Sequence, residues 1–214
     1  MKIPSLAMAK GLLEEGGKLN PGPWIYHSIN TALAAKLIAE RDNDLDPEIA
    51  YIFGLLHDIG RREGISFTRH TIDGYNFLMK KGFPDSARIC MTHTHSAKGE
   101  WDCTLEEYNF VQDFFNGIQF DEYDLLIQLC DAVALSTGFC LIEKRMVEAG
   151  IRNEGKILNI IEYMIDVWKS VLKTKRHFDE IIGCSIYTLL PGVIENTFEV
   201  NKDDIHKCIE IPRL

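Results

Sequence analysis

Apolar residues recur at helical spacing along almost the whole of this chain of 214 residues. Ile25, Ile29 and Leu33 follow one another at intervals of four, and a similar spacing returns over residues 157–172. Intervals of three or four place side chains on one face of an α-helix, whereas a half-buried strand alternates apolar and polar residues. No stretch of this sequence alternates strictly. The pattern therefore predicts an all-α protein, built as a single-domain helical bundle.

Proline and aspartate mark where several of these helices begin. Pro23 stands where a first helical turn would be, and Asp46 is placed as an N-cap before Pro47. The loop predicted at residues 96–103 separates two groups of helices. The predicted helices cover residues 23–38, 46–56, 68–82, 84–93, 104–116, 121–136, 139–149 and 155–176.

The length of the chain fits one domain with an appendage. We expect an N-terminal helix within residues 1–19, a core at residues 20–140, and a C-terminal helical extension at residues 141–214 that packs on the core. The content of 46% hydrophobic and 26% charged residues is typical of a globular protein. No apolar run is long enough to span a membrane, and no signal peptide is recognisable. The sequence therefore predicts a cytoplasmic protein without a membrane partner.

Cysteine spacing and net charge narrow the functional classes further. The six cysteines form no CxxC pair, and several lie in apolar stretches, so we interpret them as free thiols. A net charge of -9 argues against binding a long nucleic acid, which requires the neutralisation of many phosphates. It does not exclude a small phosphorylated ligand, because bound cations can set the local field. The cysteines are Cys90, Cys103, Cys130, Cys140, Cys184 and Cys208.

The most distinctive polar feature is the adjacent pair His57 and Asp58, which ends an apolar helical stretch and precedes Gly60. One helix end can offer a nitrogen and an oxygen ligand to the same ion, while we expect Gly60 to let the chain turn away. Five of the seven histidines fall between residues 27 and 95. The candidate metal ligands are His27, His57, Asp58, His70, His93 and Asp131.

Asp131 strengthens this interpretation. It interrupts an apolar stretch between Leu129 and Val133, where a carboxylate is costly to bury without a cation or a polar partner. A single histidine on an apolar helix, such as His27, is more often a hydrogen-bonded core residue than a ligand. The combination of donors makes a chance arrangement a poor explanation.

These donors suit one or two divalent ions, among iron, manganese, zinc, nickel and magnesium. In a two-metal arrangement, His27, His57 and Asp131 hold one ion, His70 and His93 hold the other, and Asp58 touches both. Alternatively, a single ion is bound and His70 and His93 contact the substrate directly.

The order of these residues resembles the HD superfamily of metal-dependent phosphohydrolases, named for an adjacent His-Asp pair. The family pattern of a histidine, the pair and a later aspartate corresponds to His27, His57, Asp58 and Asp131. The stretch from Gly54 to Arg61 is similar to its HDIG-type core motif. Residues 89–94 resemble the corresponding helix of diadenosine tetraphosphate hydrolases. The resemblance covers roughly residues 20–140 and implies a helical catalytic core.

Two further residues are candidates for the reaction itself. Arg61 stands where family members often have lysine, and we favour its fork-shaped guanidinium as a phosphate contact. For Arg62 we favour a role at the helix end. His95 is either a ligand or substrate contact, or a solvent-facing residue. We assign Asp58, Arg61 and His95 to catalysis, and Arg61 and His95 also to substrate binding.

The predicted function is hydrolysis, by a metal-activated water, of a phosphate ester or anhydride bond in a nucleotide or similar small phosphorylated metabolite. The alternative is a non-catalytic regulatory or ligand-binding HD module with a structural metal. A cyclic-dinucleotide phosphodiesterase is disfavoured, since the Gly-Tyr-Pro signature of that branch is missing. Nucleoside monophosphates, deoxynucleoside triphosphates, dinucleoside polyphosphates and sugar phosphates all fit the pattern, and the sequence leaves the oligomeric state open.

Overall fold

The computed structural model describes residues 1–94, 101–152 and 160–200 and is predominantly helical there, which confirms the predicted all-α class. A short 3₁₀ helix, Ile59–Glu63, connects the third and fourth α-helices. The α-helices of the described residues are α1 (Leu6–Leu19), α2 (Trp24–Ala39), α3 (Pro47–Leu56), α4 (Arg69–Lys80), α5 (Pro84–Thr92), α6 (Leu105–Gly117), α7 (Glu122–Val133), α8 (Ile142–Arg152), α9 (Ile160–Ile182), α10 (Ile186–Leu189) and α11 (Val193–Phe198).

A small antiparallel hairpin follows α7, where the sequence predicted helix as far as residue 136. Strand β1 (Ala134–Leu135) pairs with β2 (Gly138–Phe139), and this part of the helix prediction was wrong. Two residues per strand are too few to show the alternation that identifies a strand in a sequence. Gly138 has a φ of 139°, a conformation that glycine adopts at little cost. The hairpin ends α7 and redirects the chain into α8.

Side-chain caps fix the starts of several helices. As predicted for α3, Asp46 accepts hydrogen bonds from the backbone N–H groups of Glu48 (2.8 Å) and Ile49 (3.1 Å). Reciprocal capping boxes begin α6 at Thr104 and α7 at Asp121. Such caps satisfy backbone donors that have no partner inside the helix, so they set the register of the residues that follow.

The main apolar core lies among α2, α3, α7 and the C-terminal helices. Phe178 of α9 and Ile186 of α10 belong to the same core as Leu126 of α7, and all three are fully buried. A second core joins α1, α3, α4 and α5 and includes the fully buried Leu56 and Leu78. The two cores meet at α3, so the end of that helix is held on several sides.

The state of the cysteines agrees with the sequence prediction where the structure describes them. Cys90, Cys103, Cys130, Cys140 and Cys184 are free thiols, as predicted. Cys208 lies outside the described residues. Among the residues that the structure describes, no helix combines the length and apolar character needed to cross a membrane.

Two glycines allow helices near the His57-Asp58 pair to approach very closely. A Cβ atom on Gly54 would stand 2.4 Å from the Cα of Ala32, and one on Gly60 would stand 1.9 Å from the carbonyl oxygen of His70. The expected role of Gly60, to turn the chain away after the pair, was wrong. The chain continues there into the 3₁₀ helix, and Gly60 is needed because α4 packs directly against its backbone.

We predict that Gly60→Ala lowers the free energy of unfolding by about 1–3 kcal/mol, because the added methyl group must displace α4. Urea unfolding monitored by circular dichroism measures the change. Gly11→Ala is the matched control: no neighbouring atom lies within 4 Å of the added Cβ, so this helical substitution should stabilise by about 0.5–1 kcal/mol. Equal unfolding midpoints for Gly60→Ala and the unmodified protein would contradict the packing argument.

Candidate metal centre

The predicted metal ligands come from the ends of five helices that point towards one place. His27 lies in the first turn of α2, and His70 lies in the first turn of α4. His57 and His93 directly follow the last residues of α3 and α5, and Asp131 lies in the last turn of α7. Helices that converge by their ends can therefore gather residues from distant parts of the sequence.

A first group of donor atoms consists of His27, His57 and Asp58, all buried and all within 4.8 Å of one another. The two Nε2 atoms of the histidines are 3.3 Å apart, and His57 Nε2 lies 3.9 Å from Asp58 Oδ2. Asp131 adjoins this group but is not one of its three members. Its Oδ1 lies 2.9 Å from His27 Nε2.

A second group consists of Asp58, His70 and His93, again with donor atoms within 4.8 Å of one another. Asp58 Oδ1 lies 3.0 Å from His70 Nε2 and 3.7 Å from His93 Nε2. The two carboxylate oxygens of Asp58 thus face different groups of histidines. Asp58 is the residue common to both groups.

These donor atoms fit divalent metal ions. Two ligands that are each about 2.0–2.2 Å from one ion stand roughly 3.0–3.6 Å apart, close to the separations found here. Asp58 Oδ1 is buried and accepts no hydrogen bond of acceptable geometry, although His70 Nε2 is near. A buried carboxylate oxygen without such a bond is costly unless a cation compensates it.

Main-chain carbonyl groups fix the tautomers of two of the histidines. His57 Nδ1 lies 2.8 Å from the carbonyl oxygen of Gly54, and His93 Nδ1 lies 3.3 Å from that of Ile89. A carbonyl oxygen can only accept, so in the neutral rings Nδ1 carries the proton. The lone pair of each Nε2 is then free to face the donor groups, as metal binding requires.

Burial keeps these histidines neutral. It lowers the pKa values of His57 and His70, and it lowers that of His93 to about 4. A neutral imidazole is the form that binds a metal ion. Near neutral pH, these three rings need to lose no proton before they can coordinate.

The two aspartates are held in their charged form. Burial alone would raise the pKa of Asp58, but its neighbours His70 and Arg61 outweigh that effect and keep the pKa well below the usual value. Burial also opposes ionisation of Asp131, but its contact with His27 Nε2 at 2.9 Å and the nearby His57 and Arg145 together outweigh burial, so the pKa of Asp131 is lowered as well. Neutral imidazoles and ionised carboxylates together form the ligand set that a divalent cation needs.

A cavity of about 540 Å³ opens onto these groups. Asp58, His27, His93 and Asp131 contribute to its lining, together with Arg61. A volume of this size falls within the range of roughly 300–1,000 Å³ that is common for small-molecule sites. The remaining wall is partly apolar, with Pro21, Pro23, Trp24, Ile65 and Leu135.

The model of the HD domain family matches residues 24–136, which is more than half of the chain and includes all six candidate ligands. The chain belongs to the HD superfamily of metal-dependent phosphohydrolases. Among solved structures, the HD domain of the L. monocytogenes phosphodiesterase PgpH is similar at 17% identity and a TM-score of 0.45, over 83% of this chain and 96% of that one. No protein with a curated description matches the sequence.

The two arginines that follow the HD pair have different surroundings. Arg61 Nε lies 2.6 Å from Asp58 Oδ2, and the side chain remains 30% exposed at the cavity. Arg62 instead pairs with Glu15 of α1 at 2.8 Å, and its guanidinium lies 4.0 Å from the ring centre of Phe77. Arg61 is therefore the one of the two that adjoins the donor groups, while Arg62 ties α1 to α4.

His95 lies outside the described residues. Helix α5 ends at Thr92 with His93 as its C-cap, so the helix stops before His95. The assignment of His95 to catalysis and substrate binding stays a prediction.

A buried polar network next to His93 was not predicted from the sequence. Asp124 is fully buried in α7 and accepts hydrogen bonds from Thr92 Oγ1 at 2.7 Å and from Arg88. Gln128 donates to the carbonyl oxygen of Thr92 at 2.7 Å. These bonds join the end of α5 to α7 beside His93. The polar residues at positions 121, 124 and 128 of the predicted helix indicate that it has polar partners. The sequence does not show which residues these partners are, because they lie more than thirty residues away along the chain.

We predict that Thr92→Val lowers the free energy of unfolding by about 1–3 kcal/mol, because it leaves the buried Asp124 with one donor fewer. Valine has nearly the same shape as threonine, so packing changes little. Chemical unfolding measures the loss. Thr92→Ser, which keeps the hydroxyl group, should retain most of the stability; a larger loss in Thr92→Ser than in Thr92→Val would show that the methyl group, and not the hydrogen bond, matters.

Proposed function

We propose that this HD protein is a phosphohydrolase that cleaves a phosphate ester or anhydride bond of a nucleotide or a similar small phosphorylated metabolite. The observation that carries the proposal is the position of Asp58. Its carboxylate is shared by two groups of buried imidazole donors, and both groups adjoin a cavity large enough for a small molecule. Such an arrangement suits hydrolysis at a metal centre that substrate can reach.

In this proposal, His27, His57 and Asp131 hold one divalent ion, His70 and His93 hold a second, and Asp58 contacts both. Iron, manganese, zinc, nickel and magnesium are the candidates for a set of nitrogen and oxygen ligands. When bound, such ions supply Lewis acidity and make a water molecule more acidic.

Arg61 is proposed to orient the phosphoryl group. Its Nε is held by Asp58, which fixes the guanidinium beside the donor groups, and Asn20 Nδ2 donates to its carbonyl oxygen at 2.6 Å. Its Nη1 also lies 3.5 Å from the carbonyl oxygen of Ser66, and its Nη2 lies 3.3 Å from His70 Nε2. The N–H groups that these contacts leave over can bind phosphate oxygens with little further loss of conformational freedom. His95 is proposed as a second substrate contact and proton carrier.

The open cavity favours an enzyme over a regulatory module with a structural metal. Structural metal sites use all their coordination positions for protein ligands, whereas catalytic sites keep a position open. Here Asp58 and His93 both line a cavity, so a small molecule can reach the donor groups. Trp24 and Leu135, which also line the cavity, suit the less polar part of a nucleotide.

An activity screen tests the proposal directly. Protein purified without chelators is analysed for bound metals and then incubated with a panel of nucleotides, dinucleotides and sugar phosphates, with and without added manganese. We expect metal-dependent release of phosphate or of a nucleotide from at least one member. Metal-loaded protein that hydrolyses none of them would favour the binding module.

We predict that Asp58→Asn removes most of the bound metal and lowers hydrolysis by about 100-fold or more, because the carboxylate shared by both donor groups loses its charge. Asparagine keeps the size of the side chain, so helicity measured by circular dichroism should change little. Near-normal metal content together with near-normal turnover would contradict the role proposed for Asp58.

We also predict that the double change His70→Ala and His93→Ala lowers bound metal from about two ions per chain to about one, since His27, His57 and Asp131 remain. Elemental analysis of the purified protein measures the ratio. His177→Ala is the control, because His177 lies on α9 and pairs with Glu122 away from the cavity. An unmodified protein that saturates at one ion would exclude the two-metal arrangement.

A further inference from the structure

Arg145 on α8 is a second arginine at the cavity, and the proposed reaction does not use it. It lines the same cavity as Asp58, Arg61 and Asp131. Helix α8 packs against α7, whereas the 3₁₀ helix that carries Arg61 packs against α1 and α4. The two arginines therefore line the cavity from different elements of the fold.

Within the described part of the chain, Arg145 forms no salt bridge, although acidic side chains lie close by. Its neighbour Lys144 forms salt bridges with these carboxylates, at 3.4 Å to Glu148 and 3.1 Å to Glu199. Glu148 also lines the cavity, and its pairing with Lys144 reduces the repulsion that it would exert on an anion. Among the described residues, the guanidinium of Arg145 thus remains available at the cavity.

Arg145 shares the cavity with the candidate metal ligands Asp58 and Asp131. Among the residues that the structure describes, Arg145 forms no ion pair with Asp131, whose Oδ1 lies 2.9 Å from His27 Nε2 instead. A ligand bound at the donor groups would therefore have a guanidinium in the same cavity.

We propose that Arg145 forms an anion subsite for a second phosphate group of the substrate, apart from the one placed at Arg61. This inference rests on the proposed function and narrows its substrate class to molecules with two phosphate groups. A guanidinium offers paired N–H donors that match phosphate oxygens, and such charge-assisted bonds are stronger than neutral ones. A cavity of about 540 Å³ has room for more than a single phosphate group.

Equilibrium binding of three related ligands tests the subsite. The ligands are adenosine 5′-monophosphate, adenosine diphosphate and adenosine 3′,5′-bisphosphate, and isothermal titration calorimetry measures their affinities for the protein as purified. We expect at least one of the two-phosphate ligands to bind about tenfold more tightly than the monophosphate. Chromatography after each titration shows whether any ligand was hydrolysed.

Three variants assign the preference to Arg145. Arg145→Gln should abolish it while leaving the affinity for the monophosphate nearly unchanged, and Arg145→Lys should retain part of it. Arg41→Ala is the matched control, because it also removes one arginine charge but from an exposed position that does not line the cavity. Thermal unfolding of each variant establishes that the fold is intact.

The outcomes separate this inference from the proposed function. Absence of any preference for a two-phosphate ligand in the unmodified protein would overturn the subsite, and so would a preference that survives in Arg145→Gln. Equal weakening of all three ligands by Arg145→Gln would overturn it as well. Because binding is read without turnover, a protein that hydrolyses nothing in the activity screen can still show the Arg145-dependent preference, and an active enzyme can lack it.

Discussion

The buried carboxylate of Asp58 is the constraint on which the rest of this structure depends. It lies almost out of reach of water, and its Oδ1 has no hydrogen bond of good geometry. Removing a charged group from water costs several kcal/mol unless opposite charge or directed donors compensate it. Arg61 and His70 supply part of that compensation, and a bound cation would supply more. The helices around Asp58 are arranged so that their ends, with their polar residues, meet at this carboxylate.

Close helix packing makes this gathering of donors possible. The backbone at Gly60 touches the first turn of α4, which carries His70, and Gly54 lets α3 approach α2, which carries His27. A side chain at either glycine would push one histidine away from Asp58. The same residues therefore decide both the packing of the apolar core and the spacing of the polar groups. Stability and the geometry of the site are coupled through these two contacts.

The features predicted correctly from the sequence depend mostly on neighbouring residues. Few of the contacts between distant residues could be predicted. Helical spacing and the Asp46 cap identified the helices, because both depend on neighbouring residues alone. The two-residue strands after α7 were not predicted, because strands this short show no alternation of apolar and polar residues. The histidines and Asp58 could be singled out by residue type, but the sharing of Asp58 between two groups required the packed fold. The partners of Asp124 and the placement of Arg145 at the cavity depend on contacts between distant helices, which no local pattern encodes.

The orientation of His57 and His93 by carbonyl groups of their own helices has a consequence for how such a site tolerates change during evolution. Each ring is held by a main-chain oxygen three or four residues earlier, at Gly54 or at Ile89. Every amino acid supplies that oxygen, so no second side chain must be retained to aim these rings. Surrounding sequence can diverge widely while the rings keep their direction, provided that the helices still end where they do. Sequence divergence around these two histidines is then limited more by the need to keep the helix ends in place than by the identities of neighbouring side chains.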